Sequence, residues 1–156
     1  MRRKVTNRNI VNPDIVYNSE RLAKFINCIM QSGKKETSRK IVYGALDIIK
    51  EKTGNPNPLE IFDLAIRNAG PTVEVRSRRI GGANYQVPRE VRPERKQSLA
   101  FRWIIDAARG KKGAAMSAKL ADELISASKN EGSAIKKRED THKMAESNKA
   151  FAHFAW

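Results

Sequence analysis

Between Thr72 and Pro88 the side chains leave the helical period that dominates this sequence and alternate every second residue. Val73 and Val75 fall on one side and Glu74, Arg76 and Arg78 on the other. Gly81-Gly82 signals a turn, and Tyr85 and Val87 resume the alternation until Pro88. This pattern predicts a single β-hairpin at about residues 72–90. Two strands are marginal in water by themselves, so the hairpin must project from, or lean on, a body built of something else.

Helical periodicity supplies that body. Ser19 can cap a helix whose Leu22, Phe25, Ile26, Ile29 and Met30 form one apolar stripe, with Gly33 as the stop. Ile41, Val42, Ala45, Leu46 and Ile49 make a second stripe, ending before Gly54. Asn55-Pro56-Asn57-Pro58 gives a loop, a cap at Asn57 and a first-turn proline for a third helix carrying Leu59, Phe62, Ala65 and Ile66. Gly70-Pro71 ends it. A fourth helix opens at Pro93 and runs to Arg109, with Ala100, Trp103, Ile104, Ala107 and Ala108 inward. Gly110-Lys111-Lys112-Gly113 leads to a fifth, with Leu120, Ala121, Leu124 and Ile125 inside. After Gly132, Ser133 can cap a long, polar sixth helix from Ala134 to about Lys149. Residues 1–17 are basic, contain Asn12-Pro13 and keep no sustained period, which describes an arm that orders on a partner. The expected fold is mainly α. It is a six-helix single domain over residues 18–156, with a protruding β-hairpin between the third and fourth helices and a basic N-terminal arm. With 156 residues, such a domain can bury roughly 70% of the surface of its unfolded chain and needs no staples.

Charge narrows the function. Thirty-one Lys and Arg against 17 Asp and Glu leave +14, an excess that repels itself in a compact fold and calls for a polyanion. No stretch approaches the roughly 18 apolar residues of a spanning helix, and Met-Arg-Arg-Lys is not followed by the apolar run of a signal peptide. The chain is thus expected to stay in the compartment where it is made, and Cys28 alone forms no internal disulfide. The cations cluster: Arg2, Arg3, Lys4 and Arg8 in the arm, Lys34 and Lys35 in the first interhelix turn, Arg76, Arg78 and Arg79 in the hairpin. On the fourth helix Arg95, Arg102 and Arg109 recur every seven residues and so share one line opposite the buried side, flanked by Arg92 and Lys96. Arginine dominates, and its planar fork grips phosphates and stacks on bases. Any one cluster could equally be a solvated face; together they point to RNA. Tyr85 suits either stacking on a base or packing against Val87 or the body.

Catalytic constellations fail one by one. Gly33-Lys34 lacks the earlier glycine of a phosphate-binding loop, where Cys28 stands, and Lys35 replaces its Ser or Thr. Ser133-Ala134-Ile135-Lys136 has the Ser-x-x-Lys spelling of some acyl enzymes without the partner motifs. His142 and His153 lie eleven apart without thiols at ligand spacing, so neither a metal nor another cofactor is expected. Cys28 is expected to be a small, partly buried packing residue. Gly110-Lys111-Lys112-Gly113 imitates the backbone-clamping loop of the KH module, whose three-stranded sheet one hairpin cannot supply.

Longer strings now converge. Gly33-Lys34-Lys35 followed by Ile41-Val42, the hairpin from Arg78 through Pro88, Val91-Arg92-Pro93-Glu94-Arg95, and the tail from Lys137 through Glu146 and Asn148 through Phe154 together resemble the family of small-subunit ribosomal protein seven, essentially end to end. The likeness is greatest to the bacterial form, with organelle versions as cousins. It implies a non-enzymatic protein of the cytoplasmic bacterial ribosome, bound to the head (3′ major domain) of small-subunit ribosomal RNA and needed early in assembling it. The resemblance further implies that the arm, the basic turn, the hairpin base and the fourth helix meet ribosomal RNA, with Lys111 and Lys112 added. The hairpin tip, Ile80, Gly81, Gly82, Ala83, Asn84 and Tyr85, and the last helix with Lys143 would lie near exit-site tRNA and the outgoing mRNA, beside small-subunit proteins nine and eleven. The family often ends in an aromatic residue followed by Arg-Trp, whereas here Ala155 precedes Trp156. The competing function is a DNA-binding regulator that places a basic helix in a major groove. Cations spread over an arm, a hairpin and several helices argue against it.

Overall fold

The computed structural model describes residues 11–154. The arm residues Arg2, Arg3, Lys4 and Arg8, and the terminal Ala155-Trp156, lie outside the described residues. Among the described residues there are six α-helices: α1 Glu20–Ile29, α2 Lys35–Thr53, α3 Pro58–Ala69, α4 Pro93–Gly110, α5 Met116–Ser128 and α6 Ser133–Ser147. Strands β1 Val73–Ile80 and β2 Ala83–Glu90 stand between α3 and α4, and a short 3-10 helix, Lys149–Phe154, follows α6. Among the described residues no helix is long and apolar enough to cross a membrane.

The chain divides into two compact units, residues 1–40 and 41–156. In the first, the Ser19 side chain accepts the Leu22 N–H at 3.3 Å and so starts α1 where expected. Of the predicted stripe Leu22, Phe25, Ile26 and Ile29 are buried, joined by Ala23, whereas Met30 is half-buried just past the end of the helix. The helix ends at Ile29, one turn before Gly33. Cys28 is exposed rather than partly buried, because a position two residues beyond Ile26 turns away from the stripe. Part of the expected arm is a closed turn. Asp14 is buried, and its carboxylate accepts the N–H groups of Val16 and Tyr17 at 3.3 and 3.2 Å.

In the second unit, Val42, Ala45, Leu46 and Ile49 of α2, Phe62, Ala65 and Ile66 of α3, Ala100, Trp103, Ile104 and Ala108 of α4, and Leu120, Ala121 and Leu124 of α5 are buried as their periods require, whereas Ile41, Leu59, Ala107 and Ile125, at the margins of the same stripes, are half-buried. On α4 Leu99, Phe101 and Ile105 are buried too, so that helix is apolar over much more than one stripe. Asn57 occupies the N-cap position of α3, but its side chain makes no cap bond; its amide donates to Glu60 at 3.2 Å, and Pro58 alone supplies the expected first-turn chemistry. Asn68 near the end of α3 ties that helix to α5, donating to the carbonyls of Ala127 and Ser128 at 3.0 and 2.9 Å.

Ser133 is not the cap of α6; it is the first helical residue, after Gly132. A carboxylate from α5 does that work. Glu123, 1% exposed, accepts the Ala134 N–H at 3.0 Å, where the helix dipole favours negative charge. A methyl group on Gly132 would stand 3.0 Å from the same carboxylate oxygen, tighter than ordinary contact, and the φ of 96° there is one that other residues rarely adopt.

Candidate nucleic-acid interface

The hairpin pairs Val73 with Glu90 through Ile80 with Ala83. Gly81 and Gly82 both have positive φ, 56° and 90°, as a type I′ turn requires. Strand β2 continues through Pro88, which pairs with Val75; in a two-stranded ladder both strands are edges, and there proline's missing N–H is tolerated. Since side chains alternate faces, Arg76 and Arg78 share a face with their partners Val87 and Tyr85, whereas Arg79 and its partner Asn84 lie on the other. The hairpin's basic residues thus address two directions.

Tyr85 packs rather than standing free. Its ring centroid lies 5.2 Å from that of Phe151 and 5.6 Å from that of Phe154, in tilted arrangements typical of aromatic pairs. Both phenylalanines belong to the 3-10 helix, so the tip is braced by the end of the chain.

The predicted line on α4 is exposed at Arg95, Arg102 and Arg109, and Arg92 is exposed at the N-cap position. Arg95 is also an internal strut: its Nε stands 3.3 Å from a Glu74 carboxylate oxygen on β1, which joins helix to hairpin base. Lys96 lies across Gly70; a Cβ there would meet its Cγ at 2.8 Å. Lys34 and Lys35 are exposed after a turn in which Ser32 and Gly33 have positive φ, 51° and 73°. Lys112 is exposed, but Lys111 turns to the interior, with Nζ 2.7 Å from Oε2 of buried Glu123. That contact is an ion pair off the hydrogen-bonding axis, since the same oxygen has no hydrogen bond of good geometry. The two lysines of the Gly-Lys-Lys-Gly linker therefore do different jobs.

Sequence reasoning missed a second group of basic residues. A cavity of about 410 Å³ is lined by Arg67, Asn68, Gly70, Thr72, Lys96, Arg138, Glu139, His142, Lys143 and Glu146, drawn from α3, its connection to β1, α4 and α6. His142 Nε2 accepts the backbone N–H of Thr72 at 3.1 Å and lies 3.4 Å from its hydroxyl. Burial, then the charges of Arg138 and Lys96, hold the imidazole pKa below its ordinary value of 6.5. Arg138 is fixed by donating Nη1 to the Asn68 carbonyl at 2.6 Å. The only linear signal was Arg138 and His142 four residues apart on one face of a polar helix; Arg67 and Lys96 arrive from distant segments. Among the described residues no group of three or more His, Cys, Asp or Glu could hold a metal ion.

The profile of the family described as Ribosomal protein S7p/S5e matches residues 1–149. The small ribosomal subunit protein uS7 of Thermoanaerobacter sp. (strain X514) is 57% identical over 149 residues, covering 96% of this chain and 95% of that one. Its counterpart from Idiomarina loihiensis is 56% identical over 155 residues and 99% of each chain, and that from Salinibacter ruber 54% over 153 residues and 98% of each. A profile match over nearly the whole length, together with relatives well above half identical, establishes that this chain belongs to the ribosomal protein S7p/S5e family, whose members are structural ribosomal components and not enzymes.

Proposed function

We propose that the chain is a structural constituent of the small ribosomal subunit that binds small-subunit ribosomal RNA directly and organises assembly of the head. The observation that carries this reading is a net charge of +14 whose cations include clusters on the interhelix turn, both faces of the hairpin and the outer line of α4, in a chain more than half identical to small-subunit proteins. Its work is to neutralise and fix phosphates so that a multi-helix RNA junction keeps one geometry. Lys34, Lys35, Arg76, Arg78, Arg79, Arg92, Arg102, Arg109 and Lys112 serve as RNA contacts, together with the arm residues Arg2, Arg3, Lys4 and Arg8. Arg95 and Lys96 contribute while bracing the hairpin base and the end of α3, and Lys111 contributes chiefly to the fold. The tip residues 80–85 and Lys143 lie near exit-site tRNA and mRNA, with small-subunit proteins nine and eleven as neighbours. The site of action is the cytoplasmic ribosome of a bacterium.

A competition experiment tests the reading. The chain should prefer a head-domain RNA fragment to duplex DNA of equal length at the same salt concentration, with an affinity that falls steeply as salt rises. Preference for the duplex would favour a DNA-binding regulator instead.

A further inference from the structure

We propose that the cavity between the end of α3, the start of α4 and α6 is a phosphate-binding site, in which Arg67, Lys96, His142 and Lys143 meet the anion. Its volume, about 410 Å³, falls in the range of small-ligand pockets, about 300–1,000 Å³. Four cations, Arg67, Lys96, Arg138 and Lys143, line it against two carboxylates, Glu139 and Glu146. Among the described residues only Arg138 of the four has its charge and donors engaged, by the Asn68 carbonyl at 2.6 Å and by Glu139 at 3.7 Å. Among the described residues no carboxylate pairs with Arg67, Lys96 or Lys143. With Glu146 set against them, Arg67, Lys96 and Lys143 still leave a positive excess on one concavity, which raises the local concentration of anions.

The imidazole supplies a further polar group. Nε2 accepts a backbone N–H, which can only donate, so Nε2 carries no proton and the neutral ring carries its proton on Nδ1. The groups around it are Arg67 from α3, Thr72 before β1, Lys96 from α4, and Arg138, Glu139, Lys143 and Glu146 from α6 itself. Burial first, and then the charges of Arg138 and Lys96, favour the neutral ring, and a bound phosphate would oppose the charge effect and favour protonation. Such a site accepts a free phosphate, a terminal phosphate or a backbone phosphodiester alike. Occupancy by RNA rests on the function proposed above, whereas binding of inorganic phosphate does not.

The chain's two histidines make the test internal. In proton–carbon NMR spectra of the full chain, inorganic phosphate, compared with chloride at equal ionic strength, should displace the His142 ring signals and raise their titration midpoint, leaving exposed His153 unmoved. Lys96→Met should weaken the response roughly tenfold or more, as expected for loss of a charged hydrogen-bond donor. Lys50→Met, outside the cavity, should leave it intact. A short uridine oligonucleotide with hydroxyl ends, offering only diesters, distinguishes the sources: a His142 response to it assigns the site to RNA backbone, and a response to inorganic phosphate alone assigns it to monoesters. Equal displacement of both histidines, or a His142 signal that neither ligand moves, overturns the site. If the head-domain RNA fragment still binds in that case, the ribosomal reading stands and only the cavity assignment falls.

Discussion

Removing the cation from the α4–α5 linker should destabilise the second unit without loosening its hold on RNA. Glu123 is 1% exposed and touches both Lys111 Nζ, at 2.7 Å, and the Ala134 N–H, at 3.0 Å. Lys111→Met leaves that buried carboxylate without its counter-charge. Breaking one half of a buried pair costs about 3–5 kcal/mol. The Lys111 side chain is 35% exposed, so water already screens part of the attraction, and the loss should be nearer about 2–3 kcal/mol. Glu123→Gln keeps an oxygen for the Ala134 N–H and lets Lys111 extend into water, at a cost of about 1 kcal/mol through the lost charge at the helix start. With both changes no charge is stranded, so the double variant should lose about 1 kcal/mol instead of the roughly 3–4 kcal/mol of the summed singles. Thermal or urea unfolding reads all three, and Lys111→Met should lower the melting temperature by about 4–12 °C at about 2–4 °C per kcal/mol. Additive losses, or a Lys111→Met protein as stable as the parent, would refute the coupling. A shallower salt dependence of RNA binding in Lys111→Met would show that the ammonium reaches phosphate after all.

Three further outcomes are expected. Arg95→Ala combined with Arg102→Ala should weaken RNA binding and reduce the slope of log affinity against log salt by about 1–2 units with helicity unchanged; an unaltered slope removes α4 from the interface. Deleting residues 80–85 should leave affinity for the head-domain RNA fragment largely intact while altering exit-site tRNA function in reconstituted subunits, and a failure of assembly would make the tip part of the anchor. The third concerns pH. Because the folded chain holds the His142 pKa below 6.5, the unfolded chain takes up its proton first on acidification. This contribution to stability is full above about pH 6.5 and is lost as pH falls through the folded value, so wild type should lose more stability than His142→Gln between pH 7.5 and 5. Parallel curves for the two proteins would sink that assignment.

The helices were legible because their signals are local. Ser19 caps α1, Pro58 and Pro93 open α3 and α4, and the stripes through Phe25, Leu46, Phe62, Ile104 and Leu124 are buried. The hairpin was legible too, since Gly81-Gly82 and the two-residue period speak within a dozen positions. What escaped depends on segments that meet only in the fold. Ser133 has the right residue type for a cap, yet the Ala134 N–H is met by Glu123, eleven residues before it. Lys111 and Lys112 are indistinguishable in sequence, and only the position of a buried carboxylate separates them. Tyr85 offered two roles, and the choice rested on phenylalanines more than sixty residues downstream. Likewise Arg67, Lys96 and His142 had no reason to be grouped until Thr72 was seen to donate to the imidazole.

The packed rings of Tyr85, Phe151 and Phe154 make the tip and the tail one lever with a shared fulcrum. A fusion, label or truncation at the carboxyl end therefore acts at a distance, swinging the loop between Ile80 and Ala83 as well as whatever lies beside the tail. Mutants of that loop and mutants of the last turn should then give overlapping defects, because each disturbs the same hinge from its own side.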